Sequence, residues 1–272
     1  EFGNRPHPVV LATAAMLGVT EVYNIGGPAA VAAFAYGVPQ IPLERVAMVT
    51  GPGNIYVAAA KRALRGVIGI DSEAGTTEIL IVADESADAR LIAFDLVSQA
   101  EHDEAAACVL VTASESLVES VLAQLEAIAA DTENSARVAA ALSGIQSALV
   151  LVDSTDAALK FANHYATEHL ELHTFDPAKD AAKVSNAGAL FLGRYSPVSL
   201  GDYLAGSNHV LPTGEQSKFG SGLGVHTFLR AQQLIEYDEA ALRAVAEPAT
   251  EFSNSERLPA HGEAIAARFD NE

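Results

Sequence analysis

The feature that most constrains the fold is the alternation of short β-branched runs with alanine-rich segments of helical length. Strands are predicted where valine, isoleucine and leucine cluster, at 22–25, 46–50, 79–83, 108–112, 148–152, 170–174 and 189–192. Helices are predicted between most of them, including 29–36, 55–64, 87–100, 116–130 and 157–165. A strand-then-helix order favours parallel, doubly wound α/β sheets. Ligands are then expected beyond the carboxyl ends of the strands.

The pattern changes near Thr227, where strand-like runs stop and a charged, helical sequence follows. The last helix is predicted at 258–269, with Pro259 in its first turn, where the missing N–H of proline costs nothing. Such a tail is expected to form either a helical hairpin packed on itself or an arm that reaches a partner subunit.

The charge of the chain excludes several classes of function. A formal net charge of −19 repels phosphate backbones and anionic lipid heads, and no cluster of lysine and arginine reverses this locally. The longest apolar stretches are shorter than a bilayer span. We therefore predict neither nucleic-acid binding nor membrane insertion.

The single cysteine, Cys108, lies in the strand-like run Ala-Ala-Cys-Val-Leu-Val, where a thiol behaves as a small hydrophobic group. Without a cysteine pair there is neither a disulfide nor a cysteine-based zinc site, which fits a reducing cytoplasm. Any metal must then take nitrogen and oxygen ligands. The first residues lack the basic and apolar sections of a signal peptide, as expected for a sequence that starts partway through a longer protein.

Two glycines and a proline separate a predicted strand from a predicted helix in Gly-Pro-Gly-Asn-Ile-Tyr-Val, residues 51–57. Asn54 is placed to cap the helix. Free N–H groups at such a helix start can bind an anion or a nucleotide phosphate. The segment is not the G-x-G-x-x-G fingerprint, and a capped turn without a ligand explains it equally well.

Two pairs of side chains suit metal binding or proton transfer. Gln99 and His102 are three residues apart at the end of a predicted helix, so they project from one face and can share a divalent ion; a solvated helix end is the alternative. Glu168 and His169 stand between a predicted helix and a strand. Modest burial brings the pKa values of both groups towards neutrality, which suits acid–base catalysis. Alternatively, Glu168 contacts solvent and His169 caps the turn.

The most unusual segment is 201–213, Gly-Asp-Tyr-Leu-Ala-Gly-Ser-Asn-His-Val-Leu-Pro-Thr. Asp202, Asn208 and His209 lie among glycines in a stretch too irregular for a helix and too polar for a central strand, which is typical of a functional loop. His261, in the last predicted helix, would by itself be an ordinary surface histidine.

Together these segments resemble the histidinol dehydrogenase family. The matching motifs follow the family's order from near the first residue to near the last: 51–57, Ser-Gln-Ala-Glu-His-Asp at 98–103, Glu-His-Leu-Glu at 168–171, Gly-Ala-Leu-Phe-Leu-Gly at 188–193, the segment 201–213, and Leu-Pro-Ala-His at 258–261. The resemblance implies an NAD-dependent enzyme of histidine biosynthesis that oxidises L-histidinol through L-histidinal to L-histidine.

The resemblance also implies a metal site. Zinc, with manganese as the alternative, would be held by Gln99, His102, Asp202 and His261. In the family the last ligand comes from the neighbouring subunit of a homodimer, through an exchanged C-terminal helical arm. A monomer would then lack a complete site.

The catalytic pair of the family falls on Glu168 and His169, with His169 as the base for both oxidations and Glu168 as the activator of water. Substrate contacts fall on Thr77, where the family has a serine, on His209, and on Glu256 from the neighbouring subunit. The four metal ligands and His169 are expected to contact the substrate as well.

The NAD side of the resemblance is less complete. Asn54 matches a cofactor-binding position, whereas Ala29 stands where the family usually has a glutamine. The N-terminal part of the family enzymes is not matched. We therefore expect two incomplete Rossmann-like, doubly wound domains at 1–76 and 77–222, followed by the exchanged helical arm at 223–272. Two alternatives stay open: an enzyme for another amino alcohol, and a truncated metal-binding fragment without activity.

Overall fold

The computed structural model describes residues 5–269, which divide into two compact units. The first unit ends at Phe228 and contains both sheets, and the second begins at Leu229 and contains helices. None of the described helices is both long and apolar enough to cross a membrane. The three-domain division given above stays a prediction.

A small parallel sheet lies in the first part of unit one. Its strands, β1 (Met48–Val49) and β2 (Gly69–Ile70), pair with Met48 opposite Gly69. The accompanying helices are α1 (Pro8–Met16), α2 (Gly27–Tyr36) and α3 (Ile55–Leu64). The strand predicted at 22–25 is wrong, since these residues form no strand with any part of the chain that the structure describes. A β-branched composition favours a strand only where a neighbouring strand is available to pair with it.

The larger sheet has five parallel strands in the order β5-β4-β3-β6-β7. The strands are β3 (Glu78–Ala83), β4 (Ala107–Thr112), β5 (Ala148–Leu151), β6 (His169–His173) and β7 (Ala189–Leu192). The chain builds outward from β3 to β5 and then returns to the other side of β3 to form β6. This arrangement confirms the prediction of a parallel α/β fold.

Helices cover both faces of this sheet. They are α4 (Ala89–Ala100), α5 (Glu115–Asp131), α6 (Ser135–Ser143), α7 (Thr155–Tyr165), α8 (Pro177–Ala181) and α9 (Val198–Tyr203). Ile81 belongs to a core on one face with Leu96 of α4, and Val82 to a core on the other face with Leu159 of α7. Burial on both faces explains why the strands are continuous apolar runs. Cys108 is buried in β4, as predicted.

The prediction that 201–213 is too irregular for a helix is wrong at its start. Gly201 and Asp202 lie in α9. A Cβ added at Gly201 would lie 2.7 Å from the ring of Phe191, so glycine allows the helix to approach the sheet closely. The helix therefore depends on a tertiary contact that local sequence rules do not contain.

The second unit contains α10 (Glu239–Ser255) and α11 (Pro259–Ala266), which pack against each other. Asp238 caps α10 by accepting a hydrogen bond from the Ala241 N–H at 2.8 Å. Gly262 is buried in the contact, where an added Cβ would lie 2.9 Å from Thr250 Cγ2. Pro259 is the first residue of α11, as predicted, and the described part of this tail has no strand.

Candidate active site

Several candidate site residues of the first unit lie at the amino ends of strands of the larger sheet, whereas Asn54 follows the carboxyl end of β1. Thr77 directly precedes β3, Glu168 directly precedes β6, and His169 is the first residue of β6. Helix α4 runs back from the carboxyl end of β3, so Gln99 and His102 at its end reach the same edge. These candidate residues therefore lie at the opposite ends of the strands from the carboxyl ends, where ligands are expected. Thr77 and Glu168 belong to the segments that lead into β3 and β6, and His102 belongs to the segment that follows α4.

One cleft of about 650 Å³ brings most of the candidates together. The predicted residues that line it are Asn54, Thr77, His102, Glu168, His169, Asp202 and His209. Its volume lies within the usual range for a small-molecule site. The loop predicted to bind a cofactor and the side chains predicted to perform chemistry therefore line the same cavity.

A chain of hydrogen bonds joins Gln99 to Glu168. Gln99 Nε2 donates to Thr77 Oγ1, and Thr77 Oγ1 donates to Glu168 Oε2 at 2.6 Å. The Glu78 N–H donates to the same carboxylate oxygen at 3.0 Å. Gln99 is only 1% exposed, whereas His102 is exposed, so the alternative of a solvated helix end fails only for Gln99.

These bonds leave one oxygen of Gln99 for a ligand. Because the Thr77 hydroxyl gives its proton to Glu168, it must accept from the amide nitrogen of Gln99. Gln99 Oε1 is then a buried acceptor without a hydrogen-bond partner among the described residues. Such atoms are costly and uncommon, and a cation is a natural partner for an amide oxygen.

His102 and Asp202 supply two further donor atoms. His102 Nε2 lies 4.0 Å from Asp202 Oδ2. Two bonds of about 2 Å to one ion span this distance only in a straight line, so the two side chains would have to move closer together around a tetrahedral ion. Together with Gln99 Oε1 these atoms would supply one nitrogen and two oxygens, a donor set that zinc or manganese accepts. His261 and Glu256 are exposed residues of the second unit.

Glu168 and His169 are both buried, at 6% and 4% exposure, which argues against the alternative of a solvent-facing glutamate. Burial raises the pKa of Glu168 to about 7, although the hydrogen bonds from Thr77 and Glu78 oppose the rise. Burial also lowers the pKa of His169. The glutamate therefore titrates near neutral pH, and the imidazole is neutral there.

The hydrogen bonding of His169 selects its tautomer. His169 Nδ1 lies 3.0 Å from the main-chain oxygen of Glu78. A carbonyl oxygen can only accept, so Nδ1 carries the hydrogen and Nε2 of the neutral ring has the free lone pair. The ring packs against Phe191, with 5.9 Å between centroids.

Asn54 caps α3, as predicted. Its Oδ1 accepts hydrogen bonds from the N–H groups of Tyr56 and Val57 at 3.1 and 3.2 Å. This cap supports the explanation of the 51–57 loop as a capped turn. Asn54 also lines the cleft, where a cofactor could be bound.

A buried ion pair that the sequence interpretation did not single out supports the same loop. Lys61 Nζ lies 2.6 Å from Asp71 Oδ1, and Asp71 Oδ2 accepts from the Gly51 N–H at 2.7 Å. Lys61 Nζ also donates to the Gly51 oxygen. In the sequence, this ion pair is indicated only by a lysine within the alanine-rich stretch of α3.

A second cluster of ionisable groups was also not predicted from the sequence. Asp95, Glu171 and His173 are buried, with ligand-type atoms within 4.8 Å of one another. His169, Glu171 and His173 alternate along β6, so a period of two in Glu-His-Leu-Glu-Leu-His places them on one face of the sheet. Burial and the neighbouring charge of Glu171 raise the pKa of Asp95 to about 8.

Comparison with known proteins identifies the family. A family model described as histidinol dehydrogenase matches residues 1–269. The chain belongs to the histidinol dehydrogenase family. The histidinol dehydrogenase of Leifsonia xyli subsp. xyli is 59% identical over 270 residues, a match that covers 99% of this chain and 62% of the relative. That of Corynebacterium glutamicum is 56% identical over 271 residues and is covered to 61%.

The histidinol dehydrogenase of Elizabethkingia anophelis, a solved structure, superposes with a TM-score of 0.90 at 32% identity. The match covers 97% of this chain and 60% of that chain. The α/β fold is thus that of the histidinol dehydrogenase family, and the resemblance seen in the motifs is confirmed. The chain spans about three fifths of the length of the curated relatives described above.

Proposed function

We propose that this chain carries the catalytic cleft of a zinc-dependent, NAD-dependent histidinol dehydrogenase, which oxidises L-histidinol through L-histidinal to L-histidine. The observation that carries the proposal is the buried Glu168–His169 pair, whose hydrogen bonds leave a basic nitrogen and a carboxylate oxygen for the substrate. Membership of the family supports the choice of substrate and of NAD.

His169 is the base in both oxidations. Its Nδ1–H is held by the Glu78 oxygen, and Nε2 accepts the proton of the substrate hydroxyl. The lowered pKa keeps the ring in its basic form near neutral pH. When bound, NAD would accept the electrons of each oxidation, and zinc would orient the amino alcohol.

Glu168 activates water between the two oxidations. Its Oε2 is occupied by Thr77 and Glu78, and its Oε1 has no hydrogen-bond partner in the described part of the chain. Oε1 therefore accepts a proton from the water that adds to the aldehyde carbon. A pKa of about 7 allows the same group to take up and release that proton near neutral pH.

Gln99, His102 and Asp202 hold the metal, proposed to be zinc with manganese as the alternative. The unpaired oxygen of Gln99 and the 4.0 Å separation of the other two side chains support this set. His261 completes it from the neighbouring subunit of a homodimer, and Glu256 of the same neighbouring subunit contacts the substrate. We assign a contact with the substrate to each of these metal ligands as well.

Thr77 and His209 are further substrate contacts, and both line the cleft. Asn54 belongs to the NAD side, where it shapes the loop by capping α3. In the complete architecture we propose two incomplete Rossmann-like, doubly wound domains and an exchanged C-terminal arm, in a cytoplasmic enzyme. The two separate parallel sheets and the helical second unit support this arrangement.

The test is NADH formation by the purified chain with L-histidinol, NAD and zinc, together with a metal analysis. The variant His169→Asn can still donate from its amide to the Glu78 oxygen, but it lacks the basic nitrogen. We expect its rate to fall by roughly 10²- to 10⁴-fold. His164→Asn, an exposed position on α7, is the matched control.

The possible outcomes separate the alternatives. Histidinol-dependent activity that is lost only in His169→Asn supports the proposal. Bound zinc without any activity would identify a metal-binding fragment, and faster oxidation of a simpler amino alcohol would identify a different substrate class.

A further inference from the structure

Glu171 is a fully buried carboxylate in the middle of β6, at 0% exposure. Its strand lies between β3 and β7, and its side chain projects from the face of the sheet that α4 covers. Burying a carboxylate costs several kcal/mol unless hydrogen bonds or opposite charges compensate for the lost water. The contacts of Glu171 should therefore reveal why an acid occupies this position.

Both carboxylate oxygens of Glu171 face donors. Oε1 accepts from the Val198 N–H at 2.7 Å, and Oε2 lies 3.1 Å from His173 Nε2. Asp95 stands beside them, with its Oδ2 3.9 Å from His173 Nε2. Both oxygens of Glu171 are thus engaged, and this carboxylate forms a hydrogen-bonded anchor.

The anchor holds the start of α9. Val198 is the first residue of this helix, and Pro197 at its N-cap position contributes no side-chain hydrogen bond. A helix of six residues is unstable by itself. Glu171 supplies the missing acceptor for a free N–H, and its negative charge is favourable at a helix N-terminus.

The far end of α9 carries Asp202. Val198 and Asp202 are four residues apart, about one helical turn, so a displaced first turn moves the carboxylate that lies 4.0 Å from His102 Nε2. A second contact, between Gly201 and the ring of Phe191, sets how closely the helix approaches the sheet. The start of the helix is held by the anchor from β6 and by burial of the Val198 side chain in the core with Leu96 and Phe191.

We infer that Glu171 is a positioning residue, which fixes the first turn of α9 and thereby places Asp202 at the proposed metal site. The part of this inference that concerns metal rests on the proposed function. The part that concerns α9 does not.

The experiment compares Glu171→Leu and Glu171→Gln with Thr174→Val in the full chain. Leucine removes both acceptors, while glutamine keeps one neutral acceptor for Val198 and gives up the stronger charge-assisted bond. Thr174→Val is the matched control, because it removes a buried 2.9 Å hydrogen bond to Asp180 of α8 just beyond the same strand. Hydrogen exchange of the Val198–Tyr203 amides and zinc affinity by competition with a chromogenic chelator are measured for each.

We expect faster exchange in Val198–Tyr203 and zinc binding weakened on the order of tenfold in Glu171→Leu. Glu171→Gln should lie between this variant and the wild type, and Thr174→Val should leave both readouts unchanged. The inference is overturned if exchange in α9 stays at the wild-type rate in both Glu171 variants, or if their zinc affinity matches that of Thr174→Val. If Glu171→Leu does not fold, the comparison of Glu171→Gln with Thr174→Val decides whether the inference holds.

Asp202→Asn separates this result from a failure of the proposed function. If the wild type binds zinc no more tightly than Asp202→Asn does, the proposed metal site is wrong. The exchange rates of α9 still decide whether Glu171 holds the helix.

Discussion

His169 Nδ1 lies 3.0 Å from the main-chain oxygen of Glu78, and the pairing of two strands creates this contact. β3 and β6 run parallel with Ile79 opposite His169, so the residue before Ile79 presents its carbonyl to the imidazole. A slip of one residue in this register would turn the side chain to the other face of the sheet. Register therefore determines which nitrogen of the proposed base is free.

Thr77→Val tests the hydrogen-bond chain from Gln99 to Glu168. The variant removes a bond that lowers the pKa of Glu168, so this pKa should rise above its present value of about 7. Less carboxylate is then available to activate water, and the rate of aldehyde oxidation near neutral pH should fall on the order of tenfold. The measurement is the pH–rate profile with L-histidinal, whose acid limb should move to higher pH. Thr77→Ser keeps the hydroxyl, and an identical profile for both variants would contradict the role of this bond.

Asp95→Asn tests the protonation of the buried cluster at the carboxyl end of β6. Burial and the charge of Glu171 raise the pKa of Asp95 from its ordinary value of 3.8 to about 8. The folded state therefore holds a proton that the unfolded chain releases, so stability is greatest below the ordinary value and is lost as the pH rises through about 8. Asparagine cannot ionise, and the thermal midpoint of the variant should decline less than that of the wild type across this range.

Asp131→Asn is the control for the loss of one carboxylate, since Asp131 is exposed at the end of α5. Parallel pH profiles for the wild type and Asp95→Asn would show that Asp95 is already ionised in the folded protein.

Lys61→Met tests the ion pair beneath the 51–57 loop. The pair is almost completely buried, and losing the lysine leaves Asp71 without its counter-charge. We expect a loss of roughly 3–5 kcal/mol in the free energy of unfolding by urea. Adding Asp71→Asn should recover part of this loss, because the uncompensated charge is then gone. Lys218→Met removes an exposed pair with Glu215 and should cost no more than about 1 kcal/mol; an equal cost at both lysines would contradict the prediction.

Gly201→Ala tests the close approach of α9 to the sheet. The new Cβ would lie 2.7 Å from the ring of Phe191, so the helix or the ring must move. We expect about 1–3 kcal/mol of destabilisation together with weaker zinc binding. Gly66→Ala, where an added Cβ meets no atom within 4 Å, is the control. Unchanged zinc affinity in Gly201→Ala would show that Asp202 tolerates a shift of its helix.

Local patterns accounted for much of this protein before any contact was known. Apolar runs placed β3, β4, β5, β6 and β7 to within a residue or so, and Asn54 at a strand-to-helix turn predicted a real cap. The motifs pointed to the same family that the comparison with known proteins identifies. These features depend on neighbours in sequence, so the sequence is enough to predict them.

The predictions failed where distant parts of the chain decide the outcome. Residues 22–25 have a strand composition but no partner, and α9 forms in a segment whose composition argued against a helix. In the second case the acceptor for Val198 lies 27 residues earlier, on Glu171. Helix propensity cannot include such a bond, because it describes a residue among its immediate neighbours.

By itself, the sequence determined a parallel α/β protein of the histidinol dehydrogenase family and the identity of its candidate site residues. Only the tertiary structure decided that Thr77, Glu168 and His169 meet at the amino edge of the larger sheet, which oxygen of Gln99 is unpaired, and which nitrogen of His169 is basic. Periodicity and capping are local properties of a chain. Burial, strand register and the direction of a hydrogen bond arise only when residues far apart in sequence are packed together.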